Sequence, residues 1–235
     1  MYHEQRGHIT LVTGPMFSGK TTELLRLHGR QQLAGKRCVL VKYAKDTRYD
    51  ENLIATHDKH KSLSNTIKAN ELQEVYGEMF DEAVDVVAID EGQFFSDLAD
   101  TCERLMRARK IVIVAALNAR FDRKAFEQVA LLQPNANEIT LLTAVCDCGE
   151  NAIFTHRKSA ATEEELIGGK EVYKACCREC YYKAESEMHD GENIYPKKMV
   201  DDFFMTSTRL HISPEKKPRL DGRPLSPRTA SKNGH

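Results

Sequence analysis

The sequence contains no long apolar run and no surplus of charge of either sign. No window approaches the ~18 consecutive apolar residues that a membrane-spanning helix needs, which excludes a spanning protein. The 34 Lys and Arg residues nearly balance the 35 Asp and Glu residues, so the net charge is −1. This balance argues against broad electrostatic binding to nucleic acid. The remaining composition, 41% apolar and 29% charged over 235 residues, is typical of a globular protein with one or two domains.

The N-terminus does not resemble an export signal. A charged segment, Met1–Arg6, precedes an apolar run of only a few residues, whereas a secretory signal needs a longer one. We therefore expect a cytoplasmic protein whose seven cysteines are mostly reduced. Cys38 and Cys102 are isolated, and we predict that they are core thiols. The other five share a 35-residue window, which predicts a metal site before a disulfide: Cys146, Cys148, Cys176, Cys177 and Cys180.

The C-terminal segment differs from the rest of the chain in charge and proline content. From Arg209 onward there are seven Lys or Arg residues against two acids, and four of the seven prolines. Such a segment buries too little apolar surface to offset the entropy lost on ordering. We predict that residues 201–235 form a disordered basic tail.

Apolar periodicity predicts alternating strands and helices before the cysteine cluster. The predicted strands are 8–13, 37–43, 84–89, 111–117 and 139–145. The predicted helices are 20–34, 70–80 and 97–109, and residues 44–66 are predicted to be a loop. Strands alternating with helices, and apolar along nearly their whole length, indicate an α/β fold with a parallel sheet flanked by helices.

A phosphate-binding loop (P-loop) is predicted between the first strand and the first helix. Gly14–Thr21 matches the pattern G-x-x-x-x-G-K-[ST] without deviation. Its glycines permit positive φ, so that backbone N–H groups can turn toward phosphates, and the following helix adds its positive end. Lys20 is expected to reach the β- and γ-phosphates, and the Thr21 hydroxyl to coordinate Mg²⁺. The predicted ATP-binding residues are Gly14, Pro15, Met16, Phe17, Ser18, Gly19, Lys20 and Thr21.

Two acidic residues follow the predicted strand 84–89. Carboxylates at the carboxyl end of a parallel strand face the usual ligand crevice. Asp90 is predicted to complete the Mg²⁺ site with Thr21. Glu91 could position a water molecule, as in an ATPase, or accept a proton from a substrate hydroxyl, as in a kinase.

Other classes of P-loop protein fit the sequence less well. A GTPase should carry Asn-Lys-x-Asp after a later strand, and the residues after Leu117 do not match. An ATPase that contacts nucleic acid through the cysteine segment remains an alternative, although acids outnumber bases there by seven to five. A second alternative is a sensor that binds nucleotide without turnover; the intact Lys20, Thr21, Asp90 and Glu91 argue against it.

Several segments together resemble the cytosolic-type (type II) thymidine kinases. They occur in the family order between about residues 7 and 200: Gly14–Thr21, Lys42–Tyr49, Thr56–Asp58, Ile89–Phe95, Leu142–Cys146, Ile167–Gly169, Tyr173 and Cys177–Tyr182. The resemblance implies transfer of the ATP γ-phosphate to the 5′-hydroxyl of thymidine, with Glu91 as general base. It also implies a homotetramer, a structural zinc and feedback inhibition by dTTP. Residues 1–145 would form the nucleotide-binding domain and 146–200 a zinc-binding lasso domain; no membrane or nucleic-acid partner is expected.

The resemblance also implies a nucleoside pocket. Met16, Leu117 and Phe121 would line the thymine, Thr155 would meet the edge of the base, and Tyr173 would contact the sugar. Ile167, Gly168 and Gly169 would belong to a loop that closes over the base. Arg48 is the candidate for contacting the transferring phosphoryl group, because a guanidinium suits several oxygens at once. Phe126 is expected in the core rather than in the pocket.

The zinc ligands implied by the resemblance are Cys146, Cys148, Cys177 and Cys180. The family carries Cys-x-x-Cys at the first pair, so this chain is one residue short there. With a single residue between them, the two thiolates are held in a tighter geometry than the usual spacing gives. Gly149 could relieve this constraint by letting the backbone turn. Cys176 or His156 could instead replace an upstream ligand. Four protein ligands leave no open position for substrate, so the expected role is structural.

Overall fold

A six-stranded sheet forms the centre of the computed structural model, which describes residues 6–46, 64–158, 169 and 171–188. These residues all belong to one unit, Met1–Asp190. Every neighbouring pair of strands is parallel, in the order β3-β2-β4-β5-β1-β6. The strands are His8–Gly14 (β1), Cys38–Tyr43 (β2), Ser64–Ala69 (β3), Val86–Ile89 (β4), Ile111–Leu117 (β5) and Glu138–Leu141 (β6). The predicted α/β fold is confirmed.

Helices cover both faces of this sheet. They are Lys20–Leu33 (α1), Tyr76–Met79 (α2), Leu98–Arg107 (α3) and Glu127–Leu132 (α4), with 3₁₀ turns at Leu72–Val75, Gly92–Phe94 and Gln133–Asn135. A fifth helix, Arg178–Met188 (α5), contacts the short strands that follow the sheet. Strand β4 illustrates the layering: Val86 and Ala88 pack with Leu24 of α1, whereas Val87 and Ile89 belong to the larger cluster that contains Leu105 of α3. Burial on both faces explains the nearly continuous apolar strands.

Two sequence predictions fail at the edges of the sheet. The predicted strand 139–145 is two strands, because β6 ends at Leu141 and Ala144–Val145 (β7) pairs with Asn151–Ala152 (β8) in a separate sheet. Strand β6 pairs with β1 only over Glu138–Leu141, so the apolar run continues beyond its pairing in the main sheet. The loop predicted for 44–66 is wrong at its end, since β3 begins at Ser64. An edge strand with little apolar alternation gives a weak signal.

The other predicted elements agree closely in position. The helix predicted for 70–80 is a 3₁₀ turn followed by the short helix α2. Cys38 and Cys102 are buried core thiols, as predicted, and Phe126 packs against the main core. The predicted disordered tail, residues 201–235, lies outside the described residues.

A small module follows the main sheet. We call residues 144–158 and 171–188 the cysteine module; besides β7 and β8 it contains Phe154–Arg157 (β9), Tyr173–Cys176 (β10) and α5. Strands β9 and β10 form an antiparallel pair. Its own buried cluster consists of small side chains: Ala144, Cys146, Ala152, Ala175 and Cys177. Within the described part of the chain, no helix has the length and apolar character needed to cross a membrane.

Candidate active site and cysteine cluster

The phosphate-binding loop joins the end of β1 to the start of α1, as its motif predicts. Gly19 has φ 84° immediately before the first residue of α1, which confirms the expected positive φ there. The Ser18 hydroxyl and the Lys20 ammonium group each donate a hydrogen bond to the Pro15 carbonyl, both at 2.8 Å. These two hydrogen bonds draw the loop together just before α1 begins. A phosphate bound there would meet the backbone N–H groups at the N-terminus of that helix.

The structure brings together the two residues predicted to coordinate Mg²⁺. Thr21 donates from its hydroxyl to Asp90 Oδ1 at 3.1 Å, and the Asp90 carboxyl is buried at the end of β4. Burial, aided by the neighbouring charge of Glu91, raises the pKa of Asp90 to about 6, although Thr21 and Lys42 act in the opposite direction. A hydroxyl and a carboxylate at this distance supply oxygen ligands of the kind that Mg²⁺ prefers. Their role as ligands stays a prediction.

Glu91 lies in a turn with an uncommon backbone conformation. Its φ of 55° and ψ of 41° place it in the left-handed region, where its N–H donates to Asp90 Oδ1 at 3.1 Å. Its carboxylate accepts a hydrogen bond from Gln93 Nε2 at 2.5 Å, and Gln93 Oε1 accepts one from the Leu117 N–H at 3.0 Å. Non-glycine residues held in this region are found disproportionately at functional sites. Sequence reasoning gave Gln93 no role, although it lies within the segment Ile89–Phe95 that carries part of the resemblance.

A buried hydrogen bond connects the phosphate loop to the cysteine module. The backbone N–H of Met16 donates to the Thr155 hydroxyl at 3.0 Å, across 139 residues of sequence. Both residues are buried, Met16 within the loop and Thr155 on β9. The residue expected at the edge of the base is thus held directly beside the residues expected to bind phosphate.

Phe121 and Tyr173, two of the predicted pocket residues, meet at Arg157. The Arg157 guanidinium lies 3.8 Å from the centroid of the Phe121 ring and donates to the Tyr173 hydroxyl at 3.1 Å. It is only 3% exposed. In addition, the Tyr181 hydroxyl of α5 donates to the Phe121 carbonyl at 2.6 Å. Sequence reasoning missed both Arg157 and Tyr181, because neither belongs to a motif whose chemistry names a role.

The other predicted pocket residues are only partly described. Leu117 ends β5, next to the loop that carries Phe121. The Gly169 carbonyl accepts hydrogen bonds from the N–H groups of Val172 at 3.2 Å and Tyr173 at 3.0 Å, just before β10. Arg48, Ile167 and Gly168 lie outside the described residues.

Four thiols converge in the cysteine module. The sulfur atoms of Cys146, Cys148, Cys177 and Cys180 all lie within 4.8 Å of one another, and Cys148 is 3.6 Å from Cys177. Four sulfurs about 2.3 Å from one ion would be separated by about 3.8 Å, so this donor set fits tetrahedral zinc. Neither Cys176 nor His156, the alternative ligands, belongs to the group.

The short spacing between the first two cysteines is accommodated by a turn. Gly149 has φ 92°, and its N–H donates to the Cys146 carbonyl at 2.8 Å. Any other residue would be strained in this conformation. Glycine therefore allows a tight turn directly after the first cysteine pair, which is one residue shorter than in the family that the sequence resembles. Burial raises the pKa of the Cys146 thiol, but N–H groups of Cys148 and Cys177 and the neighbouring thiols outweigh it, and the pKa falls to about 7. The thiolate, which is the metal-binding form, is thereby favoured at Cys146, whereas hydrogen bonds with the neighbouring thiols, chiefly Cys177, raise the pKa of Cys180.

The sequence as a whole is similar to known thymidine kinases. The family model described as Thymidine kinase matches residues 7–181. The chain is 46% identical over 192 residues to "Thymidine kinase, cytosolic" of Gallus gallus, covering 80% of this chain and 83% of that protein. It is 44% identical over 189 residues to the protein of the same name from Homo sapiens, covering 79% and 78%. It is 45% identical over 177 residues to "Thymidine kinase" of Myxoma virus (strain Lausanne), covering 75% and 97%.

Proposed function

Because the chain belongs to the thymidine kinase family, we propose that it transfers the γ-phosphate of ATP to the 5′-hydroxyl of thymidine, giving dTMP. The observation that carries this proposal is the buried hydrogen bond from the Met16 N–H to the Thr155 hydroxyl, at 3.0 Å. It ties the phosphate loop to the part of the chain expected to hold the base. Phosphoryl transfer depends mainly on positioning and charge neutralisation, and such a connection serves both.

The phosphate loop and the acidic pair have separate tasks in this reaction. Lys20 and the N-terminus of α1 bind the phosphates, while Thr21 and Asp90 would hold Mg²⁺, which neutralises charge on the phosphate oxygens. Glu91 accepts the proton of the 5′-hydroxyl as that oxygen attacks the γ-phosphorus and ADP leaves. A general base of this kind contributes about 10²–10⁴-fold to the rate. Arg48 is proposed to contact the transferring phosphoryl group.

The nucleoside is proposed to bind between the end of β5 and the cysteine module. Met16, Leu117 and Phe121 line the thymine, and Thr155 meets the edge of the base. Tyr173 contacts the sugar. Its hydroxyl accepts a hydrogen bond from Arg157, whose guanidinium lies over the Phe121 ring. Ile167, Gly168 and Gly169 belong to the closing loop. An apolar pocket with a few fixed polar groups is the usual design of a site for a small ligand.

Zinc is proposed to have a structural role in the cysteine module. Its ligands would be the four convergent thiols, Cys146, Cys148, Cys177 and Cys180. The module also buries Tyr173 and Tyr181, but the cluster around the thiols consists only of alanine and cysteine side chains, so metal–sulfur bonds would add stability there. Metal analysis of the purified protein should find about one zinc per chain.

Feedback by dTTP and a homotetramer are further parts of the proposal. A molecule that carries both thymine and a triphosphate could occupy the base pocket and the phosphate loop together, because Met16 belongs to both proposed sites.

Self-association is supported by β6, an edge strand whose Ile139 and Leu141 are 44% and 62% exposed. Unpaired apolar edges favour association. Light scattering after gel filtration would measure the assembly. We propose a cytoplasmic location, in keeping with the name of the Gallus gallus relative, "Thymidine kinase, cytosolic".

The test is transfer of labelled phosphate from [γ-³²P]ATP to a panel of nucleosides, with matched reactions that contain no nucleoside or contain single-stranded DNA instead. Labelled dTMP, formed only with thymidine present, is the expected result. Release of inorganic phosphate that depends on DNA and not on thymidine would indicate the nucleic-acid-dependent ATPase. Binding of ATP without any turnover would indicate the sensor.

A further inference from the structure

The amide of Gln93 is held in one orientation by the backbone of β5. The Leu117 N–H can only donate, and it lies 3.0 Å from the Gln93 side chain, so the amide oxygen must face it. The amide nitrogen consequently faces the other way, toward Glu91 Oε2 at 2.5 Å. Gln93 is 6% exposed, so water does not compete for these two bonds. Both ends of the amide are thus committed to fixed partners.

The turn that carries Glu91 and Gln93 is packed tightly against the sheet. A side chain at Gly92 would place its Cβ 2.8 Å from Val114 Cγ1 and 3.3 Å from Leu98 Cδ2. Gly92 therefore allows the turn to lie directly on β5, close enough for Gln93 to reach the Leu117 backbone. Since Glu91 itself has a left-handed backbone, its carboxylate depends on such contacts for a defined position.

We propose that Gln93 is a positioning residue for the general base. By donating to Oε2 of Glu91, its amide holds the carboxylate that accepts the proton of the substrate hydroxyl. By accepting from Leu117, it fixes that carboxylate relative to the wall of the nucleoside pocket. This inference rests on the proposed function, in which Glu91 is the base. Gln93 does not touch the reacting atoms; it acts only through Glu91.

The first experiment is a double-mutant cycle of Gln93→Met and Glu91→Gln, measured as single-turnover transfer to thymidine. Methionine keeps the size of the side chain but neither hydrogen bond. We expect Gln93→Met alone to lower kcat by about 10- to 100-fold, as a displaced catalytic group would, with the KM values for ATP and thymidine within about twofold. In the Glu91→Gln background the same change should cost less than about twofold, because there is no base left to position.

The second experiment is the pH profile of Gln93→Glu. One oxygen of the new carboxylate can still accept from Leu117, but the other would face the Glu91 carboxylate. Two carboxylates this close cannot both be ionised readily, so the acidic limb of the kcat profile should move to higher pH by one unit or more. An unmoved limb would show that the side chain at position 93 does not face Glu91, which would overturn the positioning role.

Gln128→Met is the matched control, because the Gln128 side chain accepts a hydrogen bond from the Ala99 N–H at 3.1 Å, outside the proposed site. It should leave kcat and the pH profile unchanged. Full activity in Gln93→Met, or equal losses in both backgrounds of the cycle, would overturn the positioning role. If Glu91→Gln alone keeps its activity, the proposed base is wrong instead, so the two failures are distinguishable.

Discussion

The phosphate-binding end of the molecule and the cysteine module are stabilised by different means. The first is built on six parallel strands whose apolar side chains are buried on both faces. The second consists of strands of two to four residues and helix α5, with a cluster of alanine and cysteine at the thiols as well as the buried rings of Tyr173 and Tyr181. Apolar burial therefore contributes to both regions, but it is small around the four thiols, where the proposed zinc would add stability.

The two regions also contribute differently to the proposed site. Lys20, Thr21, Asp90 and Glu91 belong to the sheet and its loops and are proposed to act on ATP and the reacting oxygen. Thr155 and Tyr173, proposed to contact the nucleoside, belong to the cysteine module, although the rest of that proposed pocket comes from the sheet side. We therefore expect perturbations of the sheet to affect catalysis and ATP, and perturbations of the thiols to affect thymidine.

Glu91→Gln should have the largest effect of any single change. The carboxylate is needed most in the transition state, so kcat should fall by about 10²–10⁴-fold while both KM values change little. Steady-state transfer to thymidine measures this, with the exposed Glu78→Gln of α2 as a control that keeps wild-type rates. A variant within threefold of the wild-type kcat would remove Glu91 as the base.

Lys20→Ala should have the second-largest effect, and it should weaken the interaction with ATP. It removes a charge that serves the phosphates in the ground state and in the transition state, so ATP affinity and kcat should both fall, kcat by about 10²-fold. Calorimetry with ATP and steady-state kinetics measure the two effects. The exposed Lys68→Ala, on β3 and separated from β1 by three strands, is the control. Normal ATP affinity and turnover in Lys20→Ala would contradict the phosphate-loop assignment.

Cys148→Ser and Cys176→Ser separate a ligand of the thiol cluster from its neighbour. Cys148 belongs to the cluster, whereas Cys176 is buried outside it. The first variant should lose zinc and raise the thymidine KM roughly tenfold, because the pocket residues are no longer held in place. The second should keep about one zinc per chain. Zinc retained in Cys148→Ser and lost in Cys176→Ser would show that the ligand set is different.

Tyr181→Phe should have the smallest effect and should also be confined to thymidine. It removes the hydroxyl that donates to the Phe121 carbonyl, a hydrogen bond worth about 0.5–1.5 kcal/mol, so the thymidine KM should rise about two- to tenfold with normal zinc content. Tyr182→Phe is the matched control, since the Tyr182 hydroxyl bonds to Arg178 on the same helix. An equal rise in the KM for ATP would indicate a general loss of structure.

The two regions also differ in how much could be predicted from sequence. The phosphate loop and its strand–turn–helix context are contiguous, so their motif predicts the fold and the ligand at once. Asp90 follows from the rule for strand ends. In the cysteine module, Thr155 and Tyr173 entered only through family resemblance, because a threonine and a tyrosine on short strands carry no signal of their own.

What sequence reasoning missed depends on contacts between distant residues. Gln93 acquires its role from the backbone of Leu117, 24 residues away. The Arg157 guanidinium, on β9, contacts the ring of Phe121, which follows β5 in the chain. The Tyr181 hydroxyl, on α5, donates a hydrogen bond to the Phe121 carbonyl. Strand β3 was missed because its pairing with β2 stabilises a segment with little apolar alternation. The boundary at residue 145 between two domains stays a prediction.

Removal of zinc from the wild-type protein tests the contrast between the two regions most directly. A chelator would be applied under reducing conditions, and ATP affinity and the thymidine KM would be measured on the same sample before removal, after removal and after zinc is restored. We predict that the thymidine KM rises roughly tenfold or more and recovers with zinc, while ATP affinity stays within about twofold. An unchanged thymidine KM in zinc-free protein, or a parallel loss of ATP affinity, would contradict the account.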